Sequence, residues 1–312
     1  MRRYILLLFF ALFFCSLAQA QMKSKNGYNV WAKEKIRYLN SRIIRDPYNP
    51  QLHVLLANAY IQDGRKYDAK KKLYYALELD STFAEAYCNL GIVLHSQGYV
   101  QEARANYEQA LSLDSTIVEA RAGLGTLLCR SERQVEGLEH LEMVVRMDPD
   151  HLGARYNMAV AYHQVDDFKK AIEHLKVLVS LQEDYPGAKI SLARAYYSLG
   201  LLRLQAEQFE LALEALEKAV EYEQRNGNMY FAKGLAHLES EDLKGAELAF
   251  KAAIEIERDY IPALHNLGTI YERQGRLDEA EAVYLRVQEL APHMSTIESV
   301  KHTTYDVKYL VE

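Results

Sequence analysis

Residues Ala84 to Asp114 read AEAYCNLGIVLHSQGYVQEARANYEQALSLD, and their pattern is the strongest indication of the fold. Apolar and small residues recur in it at intervals of three and four, the spacing of one face of an amphipathic helix. A polar turn that ends at Gly98 separates two such segments. The stretch therefore predicts a pair of helices joined by a short turn.

The opening of this stretch recurs twice, as ARAYYSLG from Ala193 to Gly200 and as IPALHNLG from Ile261 to Gly268. The last two copies lie 68 residues apart, which is two periods of 34, whereas the first two lie 109 apart, three periods plus seven. At a period of 34, residues 50–294 divide into seven units of paired helices. The units begin at Pro50, Ala84, Val118, Leu152, Ala193, Gly227 and Ile261.

Two positions of the unit hold a small residue in every copy. Position eight holds Ala57, Gly91, Gly125, Ala159, Gly200, Gly234 and Gly268, and position twenty holds Ala or Gly throughout. A missing side chain lets two crossing helices approach, and a bulky neighbour fills the gap. The bulky partners predicted for this role, at position twenty-four, are Leu73, Tyr107, Leu141, Leu175, Leu216, Phe250 and Tyr284.

This pattern resembles the tetratricopeptide repeat (TPR). The family marks are Tyr87, Leu90, Gly91, Ala103, Tyr107 and Ala110. The resemblance implies an all-α protein, a right-handed α-solenoid of about seven stacked helix-turn-helix repeats, which binds other proteins. Stacking is required because a single helix pair cannot bury its own apolar faces. The proline that closes each unit in the family occurs here only as Pro149 and Pro292.

The seven extra residues lie between Pro186 and Gln208, where the sequence fits the first helix of a unit in two registers. Seven residues make about two helical turns, so an insertion of this length keeps the same face inward. We expect one lengthened helix of roughly 20 residues near residues 186–206. A loop insertion is less consistent with the sequence, which lacks the Gly, Pro and Asn cluster of a loop.

The N-terminal residues have the pattern of a secretory signal peptide. Arg2 and Arg3 precede an apolar run from Tyr4 to Leu17, and Ala18-Gln19-Ala20 provides a small-x-small cleavage site. We expect residues 1–20 to be removed and the protein to be exported, to a bacterial periplasm or outside the cell. Lipidation at Cys15 and a retained signal anchor are the alternatives.

Two segments flank the repeats. Residues 21–49 form an N-terminal arm and a capping helix, because Trp31 to Asn49 resembles the second helix of a unit without its first. Residues 295–312 leave the period and form a C-terminal tail, either a final capping helix or an extended strap. The sequence leaves open whether this tail occupies the groove of the repeats.

Composition argues against several classes of function. The net charge is −6, and removal of Arg2 and Arg3 leaves 35 basic against 43 acidic residues, which disfavours nucleic acid as a partner. No apolar segment after residue 20 is long enough to span a membrane. The sequence contains no GxxxxGK, HExxH, GxSxG or CxxC motif. We therefore predict a protein that is not an enzyme and needs no cofactor, of unspecified oligomeric state.

The resemblance implies that the first helix of each unit lines a concave groove through positions two, five, nine, twelve and thirteen. In units four to six these positions form an apolar and aromatic strip, which predicts the binding of a peptide or helix of a partner protein. The alternative is that these residues pack on the lengthened helix or under the C-terminal tail. The predicted partner-binding residues are Tyr156, Val160, Tyr197, Leu201, Leu204, Phe231, Leu235 and Leu238.

A weaker hypothesis concerns His95, Cys129 and His163, which occupy position twelve of three successive units and are candidate ligands for zinc or haem. Neighbouring helices lie about 10 Å apart, whereas zinc–ligand bonds are ~2.0–2.3 Å, so three such residues are poorly placed to share one ion. The same spacing argues against a disulfide between Cys88 and Cys129. We therefore predict no metal site.

The best-known peptide site of the family, a clamp for a C-terminal carboxylate, is incomplete here. Asn58 and Asn89 match its two asparagines, but Val54, Glu119 and Gly123 replace its basic residues. We predict a non-catalytic interaction scaffold of the bacterial envelope, and the resemblance to exported repeat proteins implies that it acts as an assembly factor. A metal- or haem-handling accessory protein and a docking subunit of an envelope enzyme are the alternatives.

Overall fold

The structure, a computed structural model, describes residues 25–291 together with residues 306 and 310. The predicted signal peptide and most of the predicted C-terminal tail lie outside the described residues. Residues 25–291 fold into fifteen α-helices without a strand, and they divide into two compact units at Pro149. Apolar residues recur at intervals of three and four along this whole range. Each helix therefore buries one apolar face, as an amphipathic helix does, and the alternating pattern of a strand is absent from these residues.

The described part of the N-terminal unit consists of one single helix followed by three helix pairs. The single helix, α1 (Lys25–Arg45), buries Ala32, Ile36 and Leu39, and the last two join the core of the first pair, as expected for a capping helix. Its last residue directly precedes Asp46-Pro47, because the residue before a proline disfavours helical geometry. The helices are α1 (Lys25–Arg45), α2 (Pro50–Gln62), α3 (Lys66–Leu79), α4 (Ala84–Ser96), α5 (Val100–Leu113), α6 (Val118–Cys129) and α7 (Gln134–Met147).

The C-terminal unit contains four helix pairs. The first helix of each pair begins at the residue that the period predicts, except for α10 (Ala188–Gln205), which begins five residues earlier than Ala193. The helices are α8 (Leu152–Gln164), α9 (Phe168–Leu181), α10 (Ala188–Gln205), α11 (Phe209–Tyr222), α12 (Gly227–Glu239), α13 (Leu243–Ile256), α14 (Ile261–Arg273) and α15 (Leu277–Leu290).

Helix α10 is the lengthened helix. It has 18 residues, whereas the other repeat helices of the described chain have 12 to 14. Leu192 and Leu199, one from each register, are both buried. A shift of seven residues thus adds two turns on the same face, which is why the insertion extends the helix without rotating it.

In six of the seven pairs, the turn after the first helix contains a residue in the left-handed conformation, and the turn between α6 and α7 is the exception. Gly64 and Gly98 have φ of +78° and +83°, whereas the non-glycine residue Asp166 adopts φ of +59° at the equivalent place. Only glycine adopts this region without a steric penalty, so the turns that use other residues are held there by the packing of the two helices.

Close approach of the paired helices explains the small residues at position eight. A Cβ atom placed on Gly91 would lie 2.7 Å from the ring of Tyr107, and one placed on Gly200 would lie 2.6 Å from Cγ of Leu216. Tyr107 and Leu216 are buried residues at position twenty-four. The predicted pairing of a small and a bulky residue across each helix pair is therefore confirmed where glycine occupies position eight.

Candidate functional site

The eight predicted groove residues do not form one continuous exposed strip. Val160 on α8 is the most accessible, with 36% of its surface exposed. Leu204, Phe231 and Leu235 are buried in the protein core. The half-buried residues of the set are Tyr156, Tyr197, Leu201 and Leu238.

A cavity of about 380 Å³ lies between α8 and α10 in the C-terminal unit. It brings together two of the predicted residues, Tyr156 and Val160, but none of the other six. The hydroxyl groups of Tyr156 and Ser191 lie 3.3 Å apart and so connect the two helices. The residues that line the cavity are Tyr156, Ala159, Val160, His163, Gln164, Leu175, Ser191 and Arg194.

The electrostatics of this cavity are set by His163 and Arg194. Burial lowers the pKa of His163, and the nearby Arg194 guanidinium lowers it further, while Asp166 acts in the opposite direction. The Nε2 atom of His163 lies 3.1 Å from the hydroxyl oxygen of Ser198, and its ring contacts the edge of Phe168. His163 is therefore neutral at pH 7, and the exposed Arg194 supplies the positive charge of the cavity.

This combination has a definite chemical preference. Val160, Ala159 and Leu175 give the cavity apolar walls, whereas Arg194 and the hydroxyl groups supply hydrogen bonds and a positive charge. These walls and this charge are complementary to an aliphatic or aromatic side chain that lies next to a carboxylate. Sequence reasoning missed Ser191 and Arg194. Arg194 occupies position two of its unit, one of the groove positions, but as a charged residue it does not belong to the apolar strip.

A second part of the predicted groove lies farther along α10. Tyr197 and Leu201 pack against a core cluster that includes Leu204 and Leu216, and burial raises the pKa of Tyr197 to about 12. Leu310, from the C-terminal tail, packs against this same cluster. Tyr197 and Leu201 are therefore only partly accessible to a ligand.

The third part lies on α12. Phe231 and Leu235 belong to the core cluster of the last two helix pairs, and Leu238 packs against that cluster. The ring centroids of Phe231 and Phe250 lie 5.5 Å apart. These residues stabilise the stack, and Leu310 also packs against their cluster.

The N-terminal unit has a cavity of about 610 Å³ of opposite charge character. Asn58 and Asn89, the two residues that match the carboxylate clamp, both line it. Three acidic residues, Glu85, Glu119 and Asp148, line the same cavity, so it repels the carboxylate that the clamp would bind. The substitution of Glu119 for a basic clamp residue is the sequence signal for this difference.

The three candidate metal ligands have separate environments. His95 and Cys129 belong to the N-terminal unit and His163 to the C-terminal unit, and no group of three or more His, Cys, Asp or Glu residues within the described chain has the arrangement of a metal site. Burial raises the pKa of Cys129 to about 11 and that of Cys88 to about 12, so both thiols stay protonated at pH 7. Both cysteines are free and buried. A protonated, buried thiol is a poor metal ligand and a poor nucleophile.

None of the helices in residues 25–291 combines the length and the apolar composition that crossing a bilayer requires.

Sequence families of the tetratricopeptide repeat match this chain over residues 84–117, 150–225, 197–261 and 237–295, which together span more than half of it. With the helix pairs described above, these matches show that the chain belongs to the tetratricopeptide repeat family. The predicted fold class, all-α with stacked TPR helix pairs, is confirmed. None of the curated proteins matches the sequence.

Several solved TPR structures are similar to this chain. YrrB, described as a TPR protein with an unusual peptide-binding site, is 23% identical, with 63% of this chain and 98% of YrrB covered and a TM-score of 0.51. PilF of Pseudomonas aeruginosa is 19% identical, with coverages of 69% and 94% and a TM-score of 0.46. A TPR protein of Parabacteroides merdae is 14% identical, with coverages of 81% and 97% and a TM-score of 0.45.

The family defines the general function. TPR proteins bind protein partners and are generally non-catalytic interaction modules. The chain thus has the fold of a protein–protein interaction scaffold.

Proposed function

We propose that the C-terminal unit binds a short peptide or helix of a partner protein, and that the cavity between α8 and α10 is its principal contact. The observation that carries this proposal is the cavity itself, about 380 Å³ with apolar walls and Arg194 at its lining. The partner segment carries an aliphatic or aromatic side chain next to a carboxylate.

The energetics favour a small anchor of this kind. Full burial of one large apolar side chain contributes about 1.5–3 kcal/mol, and a few such anchors dominate most interfaces. The walls of the cavity belong to helices that are already packed in the unbound chain, so the site loses little conformational entropy on binding. The partner segment loses most of the entropy.

We further propose that the protein is exported and acts in the bacterial envelope as an assembly factor. The N-terminal pattern of Arg2, Arg3, an apolar run and Ala18-Gln19-Ala20 supports export. The net charge of −6 supports a protein partner rather than nucleic acid. A docking subunit of an envelope enzyme would use the same cavity, and the identity of the partner distinguishes the two roles.

The binding proposal is tested with a library of random short peptides displayed on phage and selected against three full-length chains. Val160→Asp places a negative charge in the cavity, and the matched control Val165→Asp makes the same change at a valine that is 51% exposed just after α8. We expect wild type and Val165→Asp to select peptides that pair an acidic residue with an aromatic or aliphatic one. Val160→Asp should bind those peptides at least about tenfold more weakly, a change of ~1.4 kcal/mol.

Two results would contradict the proposal. One is equal binding of the selected peptides to wild type and Val160→Asp. The other is a selected set without acidic residues. Circular dichroism of the three chains confirms that each is folded.

A further inference from the structure

The C-terminal tail contributes one described apolar residue to the groove of the C-terminal unit. Leu310 is partly buried and packs against two core clusters at once. One cluster contains Leu204 of α10 and Ala236 of α12, and the other contains Phe231 and Leu235 of α12. Leu310 therefore lies where these clusters meet, which is along α12.

The residues around this position are those predicted to bind a partner. Tyr197 and Leu201 pack on the same cluster as Leu310, and Leu238 packs on the other. All three belong to the groove-facing positions of units five and six. The tail thus places an apolar side chain among residues that sequence reasoning assigns to an external ligand.

The sequence of the tail fits this location. Ile297, Val300, Val307, Leu310 and Val311 are spaced by three, seven, three and one residues, a sequence pattern that predicts a single apolar face. Leu310 lies nineteen positions after Ala291, the residue that follows the last repeat helix. Even at the short rise of ~1.5 Å per residue, nineteen steps of chain reach about 28 Å, enough to pass neighbouring helices spaced about 10 Å apart.

We propose that residues 295–312 are an intramolecular ligand of the groove formed by α10 and α12, anchored by Leu310. A partner segment that extends from the α8–α10 cavity along the groove must displace this anchor. The competition rests on the proposed function, whereas the binding of the tail to the groove does not. A partner therefore binds along the groove only if its affinity is high enough to displace the tail.

The experiment measures the binding of a fluorescent synthetic peptide of residues 295–312 to full-length chains by fluorescence anisotropy. In wild type the attached tail competes with the peptide at an effective concentration that reaches the millimolar range for short linkers. Leu310→Asp removes the anchor and opens the groove. Leu248→Asp makes the same change at a leucine of α13 that is 71% exposed, and it serves as the matched control.

We expect the peptide to bind the Leu310→Asp chain at least about tenfold more tightly than wild type or the Leu248→Asp chain. A peptide that itself carries Leu310→Asp should not bind. Leu310→Ala removes the anchor without adding a charge. The peptide should also bind this chain more tightly than wild type, but by a smaller factor than it binds the Leu310→Asp chain. Equal affinity for all chains, or no binding to the Leu310→Asp chain, would overturn the proposal.

The outcomes separate this inference from the proposed function. If the tail peptide binds but the phage selection fails, partner binding at the α8–α10 cavity is refuted and the tail inference stands. If the selection succeeds but its peptides bind wild type and Leu310→Asp equally well, competition by the tail is refuted and partner binding at the cavity stands.

Discussion

Replacement of Gly234 by alanine tests the central packing rule of this fold. Gly234 occupies position eight of unit six, and a Cβ atom placed on it would overlap the ring of Phe250, lying 2.6 Å from its Cδ1 atom. Phe250 is fully buried and contacts the ring of Phe231, so its ring has little room to move. The substitution therefore forces either a shift of the ring or a separation of α12 and α13.

Two opposing contributions determine the magnitude. Alanine is favoured over glycine within a helix by about 1 kcal/mol, which stabilises the variant. Overpacking of a well-filled core costs about 1–3 kcal/mol. Because carbon atoms normally pack at about 3.5–4.0 Å, an overlap near 1 Å belongs in the upper part of that range. We expect a net loss of about 1–2 kcal/mol in the free energy of unfolding.

The chain itself suggests the compensating change. Unit four has Ala159 at position eight and Leu175 at position twenty-four, so an alanine is tolerated opposite a leucine. The double variant Gly234→Ala with Phe250→Leu reproduces that pair. Its loss of stability should be smaller than the sum of the two single losses, with a coupling of about 1–2 kcal/mol.

The assay is urea and thermal unfolding followed by circular dichroism, with Gly153→Ala as the control. A Cβ atom on Gly153 would meet its nearest neighbour, Cε1 of His151, at an ordinary distance of 3.5 Å, so this control should lose no stability. For a chain of this size, 1 kcal/mol corresponds to a Tm shift of ~2–4 °C. A Gly234→Ala chain as stable as wild type, or a double variant without coupling, would refute the packing argument.

Two further predictions concern titratable groups. Because burial raises the pKa of the Cys88 thiol to about 12, we expect a maleimide to label Cys88 at pH 8 only after unfolding in urea; rapid labelling of the native chain would contradict its burial. Burial lowers the pKa of His163 below its ordinary value of about 6.5, so the unfolded chain binds more protons, and this histidine's contribution to stability is lost as the pH falls below that value. Urea unfolding at several pH values should show a shallower decline for His163→Gln than for wild type, and an identical decline would exclude the histidine as a cause.

Much of the fold is predictable because its causes are local. The helix starts at Pro50, Ala84 and Gly227 follow from a period of 34 residues, and α10 is long because seven residues complete two turns. The candidate site is predictable only in part. Tyr156 and Val160 line the cavity between α8 and α10, as groove residues should, but the groove pattern did not identify Ser191 and Arg194 as their neighbours.

Helical periodicity within one pair is enough to predict which small residue meets which bulky one, so this part of the packing could be read from the amino-acid order. Which groove residues remain accessible depends instead on contacts between separate parts of the folded chain. Phe231 and Leu235 occupy predicted groove positions but are buried, whereas Val160 is exposed, and Leu310 arrives from a remote segment to cover α12. Exposure depends on how closely neighbouring helices pack and on which distant residues fold back over them. Neither quantity is encoded in the period of a single repeat.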